Sequence, residues 1–379
     1  MMHLARPTWA EVDLGAVAHN LKELRNLLVG TARLMPVVKA NAYGHGILEV
    51  ARTCVEEGAE FLAVALLDEA LLLKEAGINR PRILVLGATS EEGAQEAVKQ
   101  GVRLTCFDRR LAEAVSRAAC KLQKPGYIHI KIDTGMGRLG FYPDERALAD
   151  IEEFLRLPGL EVEGIFTHFA AADAADKSYT EWQLRRFLDF VGELEQKGVK
   201  IPLKHAANSA ALIDLPSAHL DLVRPGISVY GLWPSDEVAN RCLNLIPAMR
   251  LLSRIVMLKD LPPGHAVSYG CTYITTRTTK VATVPIGYAD GYSRLLSGKV
   301  HAVVRGKRVC GIGRICMDQC MFDVSEVEGV REGDEVILFG RPEDGVTADE
   351  LASLIGTINY EIVCMLGPRI PRIYRRSKL

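Results

Sequence analysis

The sequence predicts an α/β protein: an N-terminal (β/α)8 barrel of the TIM type followed by a mostly β C-terminal domain. Three observations predict it. Eight short apolar runs recur between residues 34 and 224, amphipathic stretches of helical period separate them, and beyond residue 240 the texture changes to β-branched segments broken by Gly, Pro and charged turns.

The runs lie at 34–39, 61–65, 82–87, 103–107, 127–132, 163–168, 202–207 and 221–224. Apolar at nearly every position, they read as strands buried on both faces of a parallel sheet. Helical patterns fill 47–57, 67–76, 91–100, 111–122 and 179–197. Gly58, Gly77 and Gly101 follow three of them, where a left-handed cap residue is cheapest as glycine. Strand alternating with helix eight times fits a closed barrel. A doubly wound open sheet is the alternative, since strand count does not establish closure. The dinucleotide turn Gly-x-Gly-x-x-Gly is absent after the first strand, which runs instead into Lys39-Ala40-Asn41-Ala42-Tyr43-Gly44-His45-Gly46.

In the second part, 249–258, 280–288, 299–312 and 334–340 read as strands. Arg305-Gly306 marks a tight hairpin, with Gly306 able to supply the positive φ of a II′ turn. Residues 347–356 form the one clearly helical pattern there, with Thr347 as cap before Glu350. The domains are accordingly placed at 1–240, the barrel, and 241–379, the β-rich domain.

Composition narrows the function classes. Hydrophobic residues make up 48% and charged residues 25%, which excludes a disordered polymer. Lys plus Arg (46) against Asp plus Glu (47) leaves a net charge of −1, with no electrostatic footprint for nucleic acid or an anionic membrane. No window reaches ~18 uninterrupted apolar residues, so no membrane span is expected. The N-terminus lacks the charged start and apolar core of a secretory signal. The nine cysteines contain no C-x-x-C pair and read as free thiols of a cytoplasmic protein. Cys310, Cys316 and Cys320 read as hairpin-core thiols, His205 and His219 as strand-end or surface residues. No metal site is expected.

In a (β/α)8 barrel, reactive groups collect where strands end. Lys39 ends the first strand, Arg138 follows the fifth, His168 ends the sixth, Asn208 and Ser209 follow the seventh, and Arg224 ends the eighth. Lys39 emerges from Met35-Pro36-Val37-Val38, and a desolvated amine is available to form a Schiff base with an aldehyde; a lysine snorkelling to solvent is the plainer alternative. Ser209 opens a short helix whose free N–H groups favour an anion, or is simply its cap. Asp133 either fixes the loop that presents Arg138 or is purely structural.

The segments 37–46 (VVKANAYGHG), 131–140 (KIDTGMGRLG), 167–169 (THF), 207–209 (ANS), 223–227 (VRPGI), 268–270 (SYG), 287–291 (GYADG), 316–319 (CMDQ) and 359–361 (NYE) together resemble the alanine racemases, barrel-type enzymes that depend on pyridoxal 5′-phosphate (PLP). The resemblance spans essentially the whole chain. It implies racemisation of L- and D-alanine by two bases, Lys39, which also holds PLP, and Tyr269 on the opposite face, supplying D-alanine for peptidoglycan. A phenol needs cationic surroundings to act as a base near neutrality, and the resemblance places His168 and Arg224 beside it.

Arg224 would face the pyridine nitrogen; a guanidinium hardly gives up its proton, so the nitrogen stays largely unprotonated. Tyr43, Asn208, Ser209, Gly226, Ile227 and Tyr360 complete the implied cofactor site. Arg138 and the backbone of Met317 would hold the substrate carboxylate, and Tyr288 would help narrow the entrance. Lys131 matches a lysine carbamylated in some relatives. The family completes each site across a homodimer, and that arrangement is implied here. The alternatives are a broad-specificity or serine racemase, a non-catalytic PLP-binding homeostasis protein, and a metal-dependent barrel hydrolase, for which no ligand cluster stands at the strand ends.

Overall fold

The computed structural model describes residues 6–239 and 243–378. Its described residues divide into two compact units, one of residues 17–42 and 47–245, the other of residues 6–16, 43–46 and 246–378. The expected boundary at 240/241 lies outside the described residues. The chain begins in the second unit: β1 (Thr8–Asp13) pairs with strands near residues 250 and 373, so a barrel domain counted from residue 1 differs from what the N-terminal strand does.

In the first unit the strands are β2 (Arg33–Leu34), β3 (Phe61–Val64), β4 (Arg82–Val85), β5 (Arg103–Cys106), β6 (Gly126–Lys131), β7 (Leu160–Phe166), β8 (Leu203–His205) and β9 (Leu222–Val223). All eight expected strands are present, most of them shortened; β6 is shifted by one residue and β7 begins three residues earlier than expected. Every pairing is parallel, in the order β2-β9-β8-β7-β6-β5-β4-β3. The segment after β2 closes the ring. Val37 bridges Ala63 in parallel, Ala63 N–H donates to Pro36 O at 2.9 Å, and Val38 N–H donates to Ala63 O at 2.8 Å. This excludes the open doubly wound sheet. The first strand is two residues long rather than six, because Pro36 has no N–H for the ladder.

Helices Ile47–Glu56, Leu67–Glu75, Ala94–Gln100, Arg109–Leu122 and Ser178–Gln196 follow the expected pattern. Gly58, Gly77 and Gly101 take φ of 83°, 81° and 63° behind three of them. Helix Glu145–Phe154, capped by Asp144 on Ala147 N–H at 2.9 Å, was not read from the sequence.

The second unit adds β10 (Met249–Arg254), β11 (Met257–Leu261), β12 (Ala266–Val267), β13 (Tyr273–Ile274), β14 (Thr279–Val284), β15 (His301–Val304), β16 (Lys307–Gly311), β17 (Cys320–Asp323), β18 (Glu335–Phe339) and β19 (Arg372–Arg375). With β1 they form a nine-stranded sheet, β11-β14-β17-β16-β15-β18-β10-β1-β19, and the small hairpin β12-β13. The β15–β16 turn has positive φ at both Arg305 (51°) and Gly306 (76°), so it is of type I′ rather than II′. Thr347 caps helix Ala348–Ile355 through Glu350 N–H, as expected, and a second helix, Asn359–Cys364, follows it.

Candidate active site

Lys39 leaves a dry wall, as Met35, Pro36, Val37 and Val38 are all buried. The turn that carries it is left-handed: Ala40, Asn41 and Ala42 have φ of 52–53°, and Tyr43 continues at 52°. Such a run costs about 1–2 kcal/mol per non-glycine residue and persists only when neighbours over-determine it. Here Ala42 N–H donates to Val38 O at 2.9 Å, and Ile47 N–H donates to Asn41 Oδ1 at 2.9 Å. Ala40 N–H donates at 2.6 Å to Glu69, whose other carboxylate oxygen accepts from Ala65 N–H at 2.8 Å.

Lys39 and Arg224 leave adjacent strands at one rim. Leu34 is paired with Val223, and Val37 N–H donates to Pro225 O at 2.9 Å. The Arg224 guanidinium is buried. Its Nη1 donates to His205 Nδ1 at 2.7 Å; its Nη2 donates to Thr167 O and Ala206 O, both at 2.8 Å, and lies 3.3 Å from His168 Nδ1. Burial lowers it to about 9, which leaves it cationic at neutral pH. His168 is held well below its ordinary value, first by burial, then by the charges of Arg224, Lys131, Arg138 and Lys39, although part of its ring remains accessible. Of the two expected neighbours, then, Arg224 is the cation and His168 is neutral.

Lys131 stands inside the barrel, with Nζ 3.0 Å from Ile132 O and 5.1 Å from the centre of the Phe166 ring. Burial, helped by the Arg224 charge, lowers its amine to about 7. After it, the loop that carries Arg138 folds around the Asp133 carboxylate. Gly135, Met136, Gly137 and Arg138 each donate a backbone N–H to it at 2.9–3.1 Å. Burial alone would raise Asp133, but these amides and Lys131 hold it below the ordinary range. Gly140 closes the loop with φ 128°, where a Cβ would lie 2.6 Å from Asp133 N.

Asn208, not Ser209, caps helix Ser209–Asp214, accepting from Ala211 N–H at 3.0 Å. Ser209 Oγ accepts from Gly226 N–H at 2.8 Å, so Gly226 is engaged inside the protein, while Ile227 opens the turn Ile227–Tyr230.

The second unit holds the other candidates. Tyr43 and Tyr360 have ring centroids 6.2 Å apart, and burial raises the Tyr43 phenol. Tyr288 and Met317 share two facing loops: Tyr288 N–H donates to Cys316 O at 3.1 Å and Ala289 N–H to Met317 O at 3.0 Å. A Cβ on Gly287 would sit 2.2 Å from Cys316 O, so this approach requires glycine. The buried Asp290 carboxylate fixes the same loop, paired with Arg6 at 2.5–2.7 Å and Arg369 at 3.3 Å and accepting from Gly287 N–H. Tyr269 follows Ser268 (φ 65°), whose Oγ donates to Arg314 O at 2.6 Å, and its side chain is 70% exposed, with Met317 at 52% and Tyr288 at 40%. An exposed phenol at a strained turn is available to something outside its own unit.

His205 ends β8, one of the two places expected for it, but it is fully buried rather than at the surface, and so are His129 beside it and His219. The sequence carried a signal for His129. His129 and Lys131 alternate with isoleucine in the run 127–132, and inward-facing residues recur with period two. Among the described residues no three His, Cys, Asp or Glu side chains converge as a metal-ligand set, and no helix is long and apolar enough to cross a membrane.

The donor set suits PLP: an amine beside a buried guanidinium that only donates, with a buried hydroxyl and backbone N–H groups close by for an anion. Family comparison agrees. Residues 12–234 match the model for "Alanine racemase, N-terminal domain" and residues 248–374 the model for "Alanine racemase, C-terminal domain". The chain is 50% identical to the alanine racemase of Clostridium perfringens over 374 residues, covering 98% of this chain and 96% of that one. It is 49% identical to the alanine racemase of Desulforamulus reducens over 371 residues, covering 98% and 100%. Among solved structures it superposes on the alanine racemase of Clostridium difficile 630 with a TM-score of 0.95 at 41% identity, over 99% of this chain and 97% of that one. The Bacillus anthracis alanine racemase with bound L-Ala-P gives 0.92 at 39% identity, over 99% and 96%. Two family models in order, full-length relatives near half identity and a rim built around Lys39 and Arg224 make one case: this chain belongs to the alanine racemase family.

Proposed function

We propose that this chain interconverts L-alanine and D-alanine with PLP as its coenzyme, by a two-base mechanism, in the cytoplasm, supplying D-alanine for peptidoglycan. The observation that carries this reading is the exit of Lys39 and the buried, donor-only Arg224 from hydrogen-bonded neighbouring strands.

When bound, PLP supplies the electron withdrawal that makes the alanine Cα–H acidic. Lys39 Nζ would hold the coenzyme aldehyde and would move a proton to or from Cα on one face. Tyr269 Oη would do so on the other. Arg224 would present an N–H toward the coenzyme ring and keep its own proton, which would restrain side reactions such as transamination. Ser209 and Ile227, with Gly226, Asn208, Tyr43 and Tyr360, make up the phosphate and ring site; Gly226 and Asn208 act by shaping it, since their polar groups are engaged internally. His168, neutral, accepts from Arg224 on one ring nitrogen and retains a donor on the other. Arg138, with the Met317 backbone, binds the alanine carboxylate, and Tyr288 disfavours longer side chains. The division near 240/241 separates the cofactor barrel from the β-rich domain, to which the N-terminal strand also belongs, and the site is completed across a homodimer. The decisive experiment is borohydride reduction of the yellow PLP-loaded chain, followed by peptide mapping. The label is expected on Lys39, and a label elsewhere overturns the assignment.

Lys131 is carbamylated in this reading. Its nitrogen lone pair attacks carbon dioxide, an N–C bond forms and a proton leaves the nitrogen, giving an anion that orients Arg138. Only the neutral amine reacts, and its folded value is about 7 against 10.5 ordinarily. With dissolved labelled carbon dioxide held at the same concentration at each pH, the carbamate signal is therefore expected to rise roughly tenfold in initial rate from about one unit below that value to about one unit above it. Lys131→Met is expected to abolish the signal.

A site completed by a second copy makes activity concentration-dependent. Specific activity is expected to fall as dilution populates the monomer in sedimentation, and a fully active isolated monomer contradicts the shared site.

A further inference from the structure

Arg224 is a buried cation with no carboxylate in direct contact among the described residues. The barrel interior nevertheless carries it to one. Arg224 Nη1 lies 2.7 Å from His205 Nδ1, His205 Nε2 lies 2.9 Å from His129 Nδ1, and His129 Nε2 lies 3.2 Å from Glu163 Oε2. Four side chains from β6, β7, β8 and the end of β9 thus form one hydrogen-bonded line through the barrel.

The line is built rather than incidental. A Cβ on Gly164 would lie 2.4 Å from His129 Nδ1, so the ring occupies space that only glycine leaves open. The Phe166 ring stacks on His205 at 4.6 Å and 7°. Glu163 is fixed in turn by Arg103, through Nε at 2.9 Å and Nη2 at 3.2 Å, and by Arg82 Nη1 at 3.0 Å.

Its ends set its direction. A guanidinium only donates and an ionised carboxylate only accepts. His205 Nδ1 must then accept from Arg224, its Nε2–H must donate to His129 Nδ1, and His129 Nε2–H must donate to Glu163. Both imidazoles are neutral Nε2–H tautomers, in keeping with burial and positive neighbours lowering both. Arg224 is pinned on Nη1 and Nη2, whereas its Nε–H makes no hydrogen bond among the described residues.

We propose that Glu163 is a positioning residue for Arg224: through His129 and His205 it fixes the tautomer that accepts from Nη1, and so leaves Nε–H as the edge presented to the coenzyme ring. The proposal rests on Arg224 serving PLP, but the tautomers are independent of it. The groups facing the line are Arg82 and Arg103 at the Glu163 end and Lys131 near His205.

Glu163→Gln tests the direction. Its single oxygen is claimed by Arg103 and Arg82, which turns the amide NH2 toward His129 Nε2. The line then reverses, and His205 Nδ1 gains a hydrogen that opposes Arg224. Nitrogen-15 imidazole NMR of the PLP-loaded enzyme is expected to show unprotonated Nδ1 for His129 and His205 in the unsubstituted chain. In Glu163→Gln the His129 signal is expected to shift to a protonated Nδ1. The same variant is expected to lose about 10–100-fold in kcat, the scale of outer-shell changes at metal sites, with KM for alanine within about twofold. A protonated Nδ1 on either histidine of the unsubstituted enzyme overturns the proposal even if the variant does not fold. So does an unchanged tautomer in the variant, or a changed tautomer with kcat untouched. Failure of the unsubstituted chain to take up PLP on Lys39 removes the functional reading instead, and is distinguished because it is read without any substitution.

Discussion

Lys39→Ala is expected to give a colourless chain with racemisation lowered by about 10⁴-fold or more. The residue has two duties on one nitrogen, holding the coenzyme aldehyde and moving a proton at Cα. General acid–base transfer alone is worth about 10²–10⁴-fold, so losing both exceeds the loss of either. The left-handed turn is held by backbone groups of Val38, Ala40, Ala42 and Ile47 and by the side chains of Glu69 and Asn41, none of which involves the Lys39 amine. Loss of the visible band with a retained circular dichroism spectrum is the expected pair of observations. A yellow, active Lys39→Ala chain contradicts the assignment outright.

Tyr269→Phe is expected to keep the colour, because the phenol does not hold the coenzyme, and to lower racemisation by about 10²–10⁴-fold. The useful readout is asymmetric. In heavy water, solvent exchange at Cα is expected to persist for the enantiomer whose hydrogen faces Lys39 and to vanish for the other. A single-base enzyme loses both or neither. Tyr269 is 70% exposed and the turn is held by Ser268 Oγ on Arg314 O, so removing one hydroxyl leaves the hairpin intact.

The barrel was legible because each strand is a short apolar run and three of the helices stop at a glycine that the structure finds at positive φ. Helix Glu145–Phe154 was not read, although Asp144 caps it at the expected spacing. The strand at Thr8–Asp13 was hidden for a different reason. Its partners lie more than 200 residues away, at Met249–Arg254 and Arg372–Arg375, and no local pattern reports a pairing of that range. The site divides the same way. Lys39, Arg138, Lys131 and Arg224 stand in motifs contiguous along the chain, whereas the burial of His205 is not legible, because one histidine at a strand end carries no burial signal by itself.

By itself the sequence determined the residue types at the rim, the alternation of barrel strands with most of their helices, and the family, because all three are carried by neighbours in the chain. Only the tertiary structure decided that the ring closes through Val37 and Ala63 past Pro36, that the lysine turn is left-handed, and that Arg224 is tied to Glu163 through two neutral histidines. Closure, strain and a directed hydrogen-bond line depend on groups from different strands meeting away from water, and burial of that kind is a property of the packed chain rather than of any segment.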